Sequence, residues 1–233
     1  LLVILLLTIV ACCSVLTYTR NSIWKDEFTL WNDAVHRSPN KARPYNSRGR
    51  AYKNKGEFDK AISDHNKAIE INPKYAKAYN DRGNAYKDKG DLDQAISDYN
   101  KAIEINPDLA GAYNNRGNIY VYKGDFDKAI SDYTKAIEID PNLVGTYNNR
   151  GNIYKAKGDF NQAIPDYTKA IEIDSKYANA YNNRGLVYQT KEDFNQAISD
   201  YNKAIEINSK YADAYYNRGD TYVYKGDFDK AIS

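Results

Sequence analysis

Apolar and polar positions recur along most of the chain with a helical period. Within residues 76–109, Ala76, Tyr79, Gly83 and Tyr86 fall three or four residues apart and share one stripe. Ala95, Ile96, Tyr99, Ala102 and Ile103 repeat that spacing in a second run, so two amphipathic helices are predicted. Gly90 between them suits the left-handed residue that ends a helix, Asp91 can cap the next, and Pro107 stands where the second helix cannot continue. The same arrangement returns every 34 residues: glycine at 49, 83, 117, 151, 185 and 219, tyrosine at 52, 86, 120, 154, 188 and 222. A period of this length marks units that cannot bury their own apolar faces and therefore stack into a solenoid.

Local departures from the pattern carry their own expectations. Glu192 replaces the inter-helix glycine of the other repeats, at a cost if that residue must be left-handed. Pro165 lies inside a second helix, beyond its first turn, and should remove one backbone hydrogen bond there and bend the helix locally.

The first forty residues read differently. Leu1 to Leu16 carry no charge, and with Thr17 and Tyr18 the run reaches about 27 Å as a helix, close to the ~30 Å hydrocarbon core of a bilayer. Tyr18, Arg20, Trp24, Lys25 and Trp31 follow, as at a membrane exit. We therefore expect a transmembrane helix over residues 1–19, lacking its first turn. Two other readings stand beside it: a lipobox-like Ile9-Val10-Ala11-Cys12, and a buried core helix. Residues 20–41 align as a juxtamembrane half-repeat, with Trp31 in the column of His65, Tyr99 and Tyr133 and Ala34 in that of Ala68 and Ala102. The solenoid is thus expected to be membrane-anchored, with its repeats extracytoplasmic, in a periplasm or lumen. The absence of methionine, and Ser233 falling in mid-repeat, lead us to expect a piece of a longer chain.

The 34-residue period with its aromatic, Gly, Tyr, Ala and Pro columns resembles the tetratricopeptide repeat. The resemblance covers five units, 42–75, 76–109, 110–143, 144–177 and 178–211, and a sixth cut off over 212–233. It implies an all-α fold, a right-handed superhelical solenoid of antiparallel helix pairs whose first helices line a concave groove. Where the family often has leucine, this chain has Arg48, Arg82, Arg116, Arg150, Arg184 and Arg218, and each full repeat has Asp64, Asp98, Asp132, Asp166 or Asp200 in its second helix. Structural Arg–Asp ion pairs between the two helices are the simplest account, and an arginine ladder gripping ligand the sharper one.

Polar residues on the first helices are the candidate binding positions. Asn80, Asn114, Asn148 and Asn182 form one row, Asn115, Asn149, Asn183 and Asn217 a second, and Asn84, Asn118 and Asn152 a third. Asparagine is a mediocre helix former, and its amide can pair with an extended backbone through both donor and acceptor. The rows resemble the asparagine ladder of O-linked N-acetylglucosamine transferases. They fit the carboxylate-clamp members of the family only in part, because asparagine stands where a clamp lysine is expected. A solvated helix surface kept by repeat duplication is the plain alternative. Arg43, Arg50, Lys53, Lys77 and Lys87 cluster in the first two units, so this end should favour acidic segments and fix ligand direction.

Composition narrows the function further. Lys plus Arg (33) nearly balance Asp plus Glu (31), which argues against nucleic acid as a partner. Cys12 and Cys13 are adjacent, and His36 and His65 stand apart, so no metal site, cofactor or disulfide framework is expected. No phosphate loop, nucleophile with a base, or spaced acid pair rises above the repeat, so this chain is not expected to be an enzyme, and no small-molecule substrate is evident. Two functions remain: a membrane-tethered scaffold holding a peptide or partner protein, and the acceptor-binding arm of a multi-span membrane glycosyltransferase. The second rests on a resemblance of the membrane span, the Arg20-Asn21 and Trp24 segment and the repeats to transmembrane O-mannosyltransferases with tetratricopeptide repeats.

Overall fold

The computed structural model describes residues 6, 8–10, 13–14, 17–18 and 24–231. Among these, thirteen helices follow the leading segment and there are no strands: α1 (Glu27–Arg37), α2 (Ala42–Asn54), α3 (Phe58–Ile71), α4 (Ala76–Lys89), α5 (Leu92–Ile105), α6 (Ala110–Tyr122), α7 (Phe126–Ile139), α8 (Val144–Ala156), α9 (Phe160–Ile173), α10 (Ala178–Thr190), α11 (Phe194–Ile207), α12 (Ala212–Lys225) and α13 (Phe228–Ala231). The chain divides into two units, Leu1–Pro107 and Asp108–Ser233.

Turn chemistry sets the helix boundaries. Gly56, Gly90, Gly124, Gly158 and Gly226 have φ between 75° and 95°, the left-handed geometry that closes each first helix at no steric cost. Glu192 takes the same conformation, at φ 61°, where a side chain is strained. Asp91, Asp125, Asp159 and Asp193 each accept a hydrogen bond from the backbone amide three residues on, capping the second helix. In the half-repeat, Asp26 and Thr29 form a reciprocal capping box, so α1 starts at Glu27 and leaves Trp24 outside the helix. The Trp24 indole instead donates to Asp33 at 3.4 Å. Helix α9 runs on through Pro165.

Packing within each unit repeats one motif. The glycine of the first helix lies against the ring of the buried aromatic in the second: a Cβ on Gly83 would stand 2.7 Å from Tyr99, and one on Gly151 2.9 Å from Tyr167. Only a residue without a side chain admits the ring. In residues 108–231 the core clusters Ala129–Tyr133–Ile153 and Ala163–Tyr167–Val187 join a second helix to the next first helix, and Ala61–Ile62–Ala85 does the same in the first unit. This is the coupling by which a stacked repeat buries what it cannot bury alone.

The expected transmembrane helix and the membrane-anchored, extracytoplasmic localisation are corrected. Among the described residues no helix is long and apolar enough to cross a membrane. The longest described helices have 14 residues, about 21 Å against the ~30 Å a span needs, and each presents a polar face. Much of the run 1–19 on which the expectation rested lies outside the described residues, as do residues 20–23.

Candidate functional site

The first helices α2, α4, α6, α8, α10 and α12 carry the candidate side chains, and one ion pair per repeat holds each to its second helix. Arg48, Arg82, Arg116, Arg150 and Arg184 donate through Nε and Nη2 to both oxygens of Asp64, Asp98, Asp132, Asp166 and Asp200, at 2.6–2.9 Å. The aspartates are buried and the arginines nearly so, which makes these bidentate pairs part of the interior rather than a ligand-facing ladder. Hydrogen bonding to Asp64 and Asp132 raises Arg48 and Arg116 further above the usual guanidinium range.

A further partner escaped the sequence reading. Nη1 donates back to the preceding second helix: Arg48 to Asn32, Arg82 to Asn66, Arg150 to Thr134, Arg184 to Thr168 and Arg218 to Asn202, at 2.6–3.0 Å. Arg48, Arg82, Arg150 and Arg184 thus each join three helices. The signal was present as an Asn or Thr one residue after the aromatic column, every 34 residues.

The asparagine rows are more structural than their sequence suggested. Asn148 and Asn182 are buried, and their Oδ1 atoms accept from Asn183 and Asn217 of the following repeat at 3.0 Å. Asn114 accepts from Thr146 at 2.9 Å and donates to Asn115 at 3.4 Å. Asn80 donates to Asp81 at 3.3 Å. In the third row Asn84, Asn118 and Asn152 accept the hydroxyls of Tyr99, Tyr133 and Tyr167, at 2.6–2.8 Å, and Asn118 also accepts from Asn149 at 3.2 Å. Burial pushes the Tyr133 phenol up to about 12.

These bonds leave a defined remainder. Asn84, Asn118 and Asn152 spend only the carbonyl oxygen, keeping an Nδ2 donor, while Asn149, Asn183 and Asn217 spend Nδ2 and keep an acceptor. In residues 108–231, a cavity of about 270 Å³ lies beside Asn118, Asn149 and Asn152, with Val121, Phe126 and Ile153 as its apolar lining.

The basic cluster of the first unit is partly neutralised. Lys53 and Lys87 both reach Asp88, at 3.4 Å. Arg43 lies 5.9 Å from the Trp31 ring, and Arg50 and Lys77 are exposed. Burial raises the Asp81 carboxyl, against Asn46, which donates to it at 2.8 Å, and against the charges of Arg50 and Lys77. His65 takes the place of the buried tyrosine in repeat 42–75. Its Nδ1 meets Asn46 Oδ1 at 2.9 Å, its buried Nε2 has no partner, and burial, with Arg82, Arg50 and Lys53 nearby, drops its pKa to about 3. Among the described residues no three His, Cys, Asp or Glu side chains are grouped to hold a metal ion.

Residues 49–192 match a family model described as TPR repeat, in the overlapping stretches 49–90, 83–121, 117–158 and 151–192. Residues 178–211 and 200–233 match two models described as tetratricopeptide repeat. No curated protein matches the chain. Among solved structures it is similar to that of MamA, at 28% identity over 70% of this chain and 96% of that one, with a TM-score of 0.64. YrrB, described as a TPR protein with an unusual peptide-binding site, is 23% identical over 79% of this chain and 95% of its own, with a TM-score of 0.63. For pilF of Pseudomonas aeruginosa the values are 18%, 82%, 87% and 0.74. The last two share the fold.

Proposed function

Because the chain belongs to the tetratricopeptide repeat family, we propose that it is a binding scaffold whose first helices hold an extended segment of a partner protein. The observation that carries this reading is the remainder on the asparagine rows. Within residues 108–231, donors on Asn118 and Asn152 and acceptors on Asn149, Asn183 and Asn217 are left over after the solenoid has satisfied itself. A row of both kinds suits a peptide backbone, which offers an N–H and a C=O at every residue whatever its side chains. In the first unit Arg43, Arg50, Lys53, Lys77 and Lys87 set direction by favouring an acidic stretch of the ligand, with Asp88 offsetting two of the lysines. The glycosyltransferase reading has no observation to carry it.

The test is selection of random peptides on the full chain, followed by Asn152→Asp. That change keeps the oxygen that Tyr167 needs and turns the spare donor into a charged acceptor. Selected peptides should bind the variant several-fold more weakly with Tm unchanged. Equal affinity, or no peptide selected at all, would overturn the reading. Lys77→Glu with Lys87→Glu should shift the selection away from acidic sequences.

A further inference from the structure

Near the end of the second unit, α10, the turn after it, the start of α11 and α12 line an open cavity of about 400 Å³ whose lining differs from that of the other repeats. One wall is aromatic: Phe194 and Tyr224 stack with ring centroids 6.4 Å apart at 6°, and Tyr224 is 66% exposed. The floor is Leu186. Asp220 stands in the column that elsewhere holds Asn84, Asn118 and Asn152, and Glu192 stands where other repeats have glycine.

Asp220 is held in place. The buried Tyr201 donates its hydroxyl to Gln189 Oε1 at 2.9 Å, and Gln189 Nε2 donates to Asp220 Oδ2 at 2.8 Å. This relay leaves Oδ1 open and fixes the orientation of the carboxylate. Neither Asp220 nor Glu192 has an ion-pair partner among the described residues; Arg184 is engaged with Asp200, Arg218 with Asn202 and Lys225 with Asn195, while the exposed Lys191 beside Glu192 does not pair with it. Two carboxylates without ion-pair partners beside a stacked aromatic wall are complementary to a cation carried on an apolar stem.

We propose that this cavity binds the side chain of an arginine or lysine in the partner segment. The aliphatic stem would lie on Leu186 and the aromatic wall, and the charged head would meet Asp220 and Glu192. The proposal rests on the peptide-binding reading and adds a specificity to it: a basic residue at the 186–224 end, opposite in sign to the acidic preference of the first unit. Glu192 holds its left-handed conformation at a cost that a glycine would avoid, and a charged rim to this cavity is what the cost supports.

The test is an NMR titration of the full chain with Nα-acetyl-arginine methylamide, with the norleucine analogue as the neutral control. The arginine probe should move the amide resonances of Gln189, Thr190 and Tyr224 saturably, and the norleucine probe should not. Asp220→Asn should weaken the probe about fivefold. Glu192→Gly should weaken it as well while raising Tm, a pairing that a merely structural glutamate would not give. Equal binding of both probes, or unchanged arginine binding in both variants, would overturn the proposal. Selected peptides lacking any Lys or Arg enrichment would overturn the pocket and leave the groove reading standing. Saturable arginine binding with no peptide selected would support the pocket and remove the groove reading instead.

Discussion

Repeats 42–75 and 144–177 share one scaffold and differ in their largest fully buried side chain. In the second, Tyr167 fills the space opened by Gly151, and its hydroxyl finds Asn152 at 2.8 Å. In the first, His65 lies against Gly49 in the same way, but the residue in the Asn152 column is Arg50, which offers no acceptor. The imidazole turns to Asn46 instead and leaves Nε2 buried without a partner. The two columns therefore work as a pair: a tyrosine hydroxyl needs an amide across the interface, and a histidine can sit beside a cation only by staying neutral. Leu186 teaches the same lesson, since Tyr201, deprived of an asparagine there, bonds to Gln189.

The largest effect should come from what the two repeats have in common. Arg150→Ala strands the buried Asp166 and unties Thr134, at a cost of about 3 kcal/mol, and Arg48→Ala should cost the same within error through Asp64 and Asn32. Urea unfolding of both variants checks this, and a gap above ~1 kcal/mol would mean that the pairs are not equivalent.

Acid should then separate the repeats. His65 has a pKa of about 3 when folded, below its ordinary value near 6.5, so between these limits the unfolded chain binds the extra proton. Stability conferred on repeat 42–75 is complete above about pH 6.5 and falls as pH drops, by about 2 kcal/mol at pH 5. Hydrogen exchange of the α2 and α3 amides should follow this slope while α8 and α9 do not, and His65→Tyr with Arg50→Asn should abolish it.

The smallest effect is on the tyrosine side. Tyr167→Phe keeps the ring and loses one neutral hydrogen bond, a cost of about 1 kcal/mol. Burial raises the Tyr167 phenol above its usual value, so the folded repeat resists ionisation that the unfolded chain undergoes. Stability of this repeat is therefore lost as pH rises above about 10, and Tyr167→Phe should remove that part of the alkaline slope.

Much of the fold was legible in the chain because a repeat states its rule several times. Gly56, Gly90, Gly124 and Gly158 mark left-handed turns by identity alone, and Asp91 and Asp125 mark caps. The leading apolar run misled, because a run of uncharged residues has the composition of a membrane span whether or not the chain forms one. The asparagines were half legible. Their row along the helix was visible, but which amide atom each one spends depends on a neighbour 15, 31 or 35 residues away.

The sequence by itself determined the helix pairs, their boundaries, the family and the Arg–Asp columns, because these follow from identity and a fixed period along one dimension. Only the tertiary structure decided that Asn148 and Asn182 are buried, that Arg48, Arg82, Arg150 and Arg184 reach a third helix, and that Asp220 and Glu192 share a cavity with a stacked aromatic pair. Those are contacts between repeats, and they depend on how one helix pair settles on the next, which no single repeat contains.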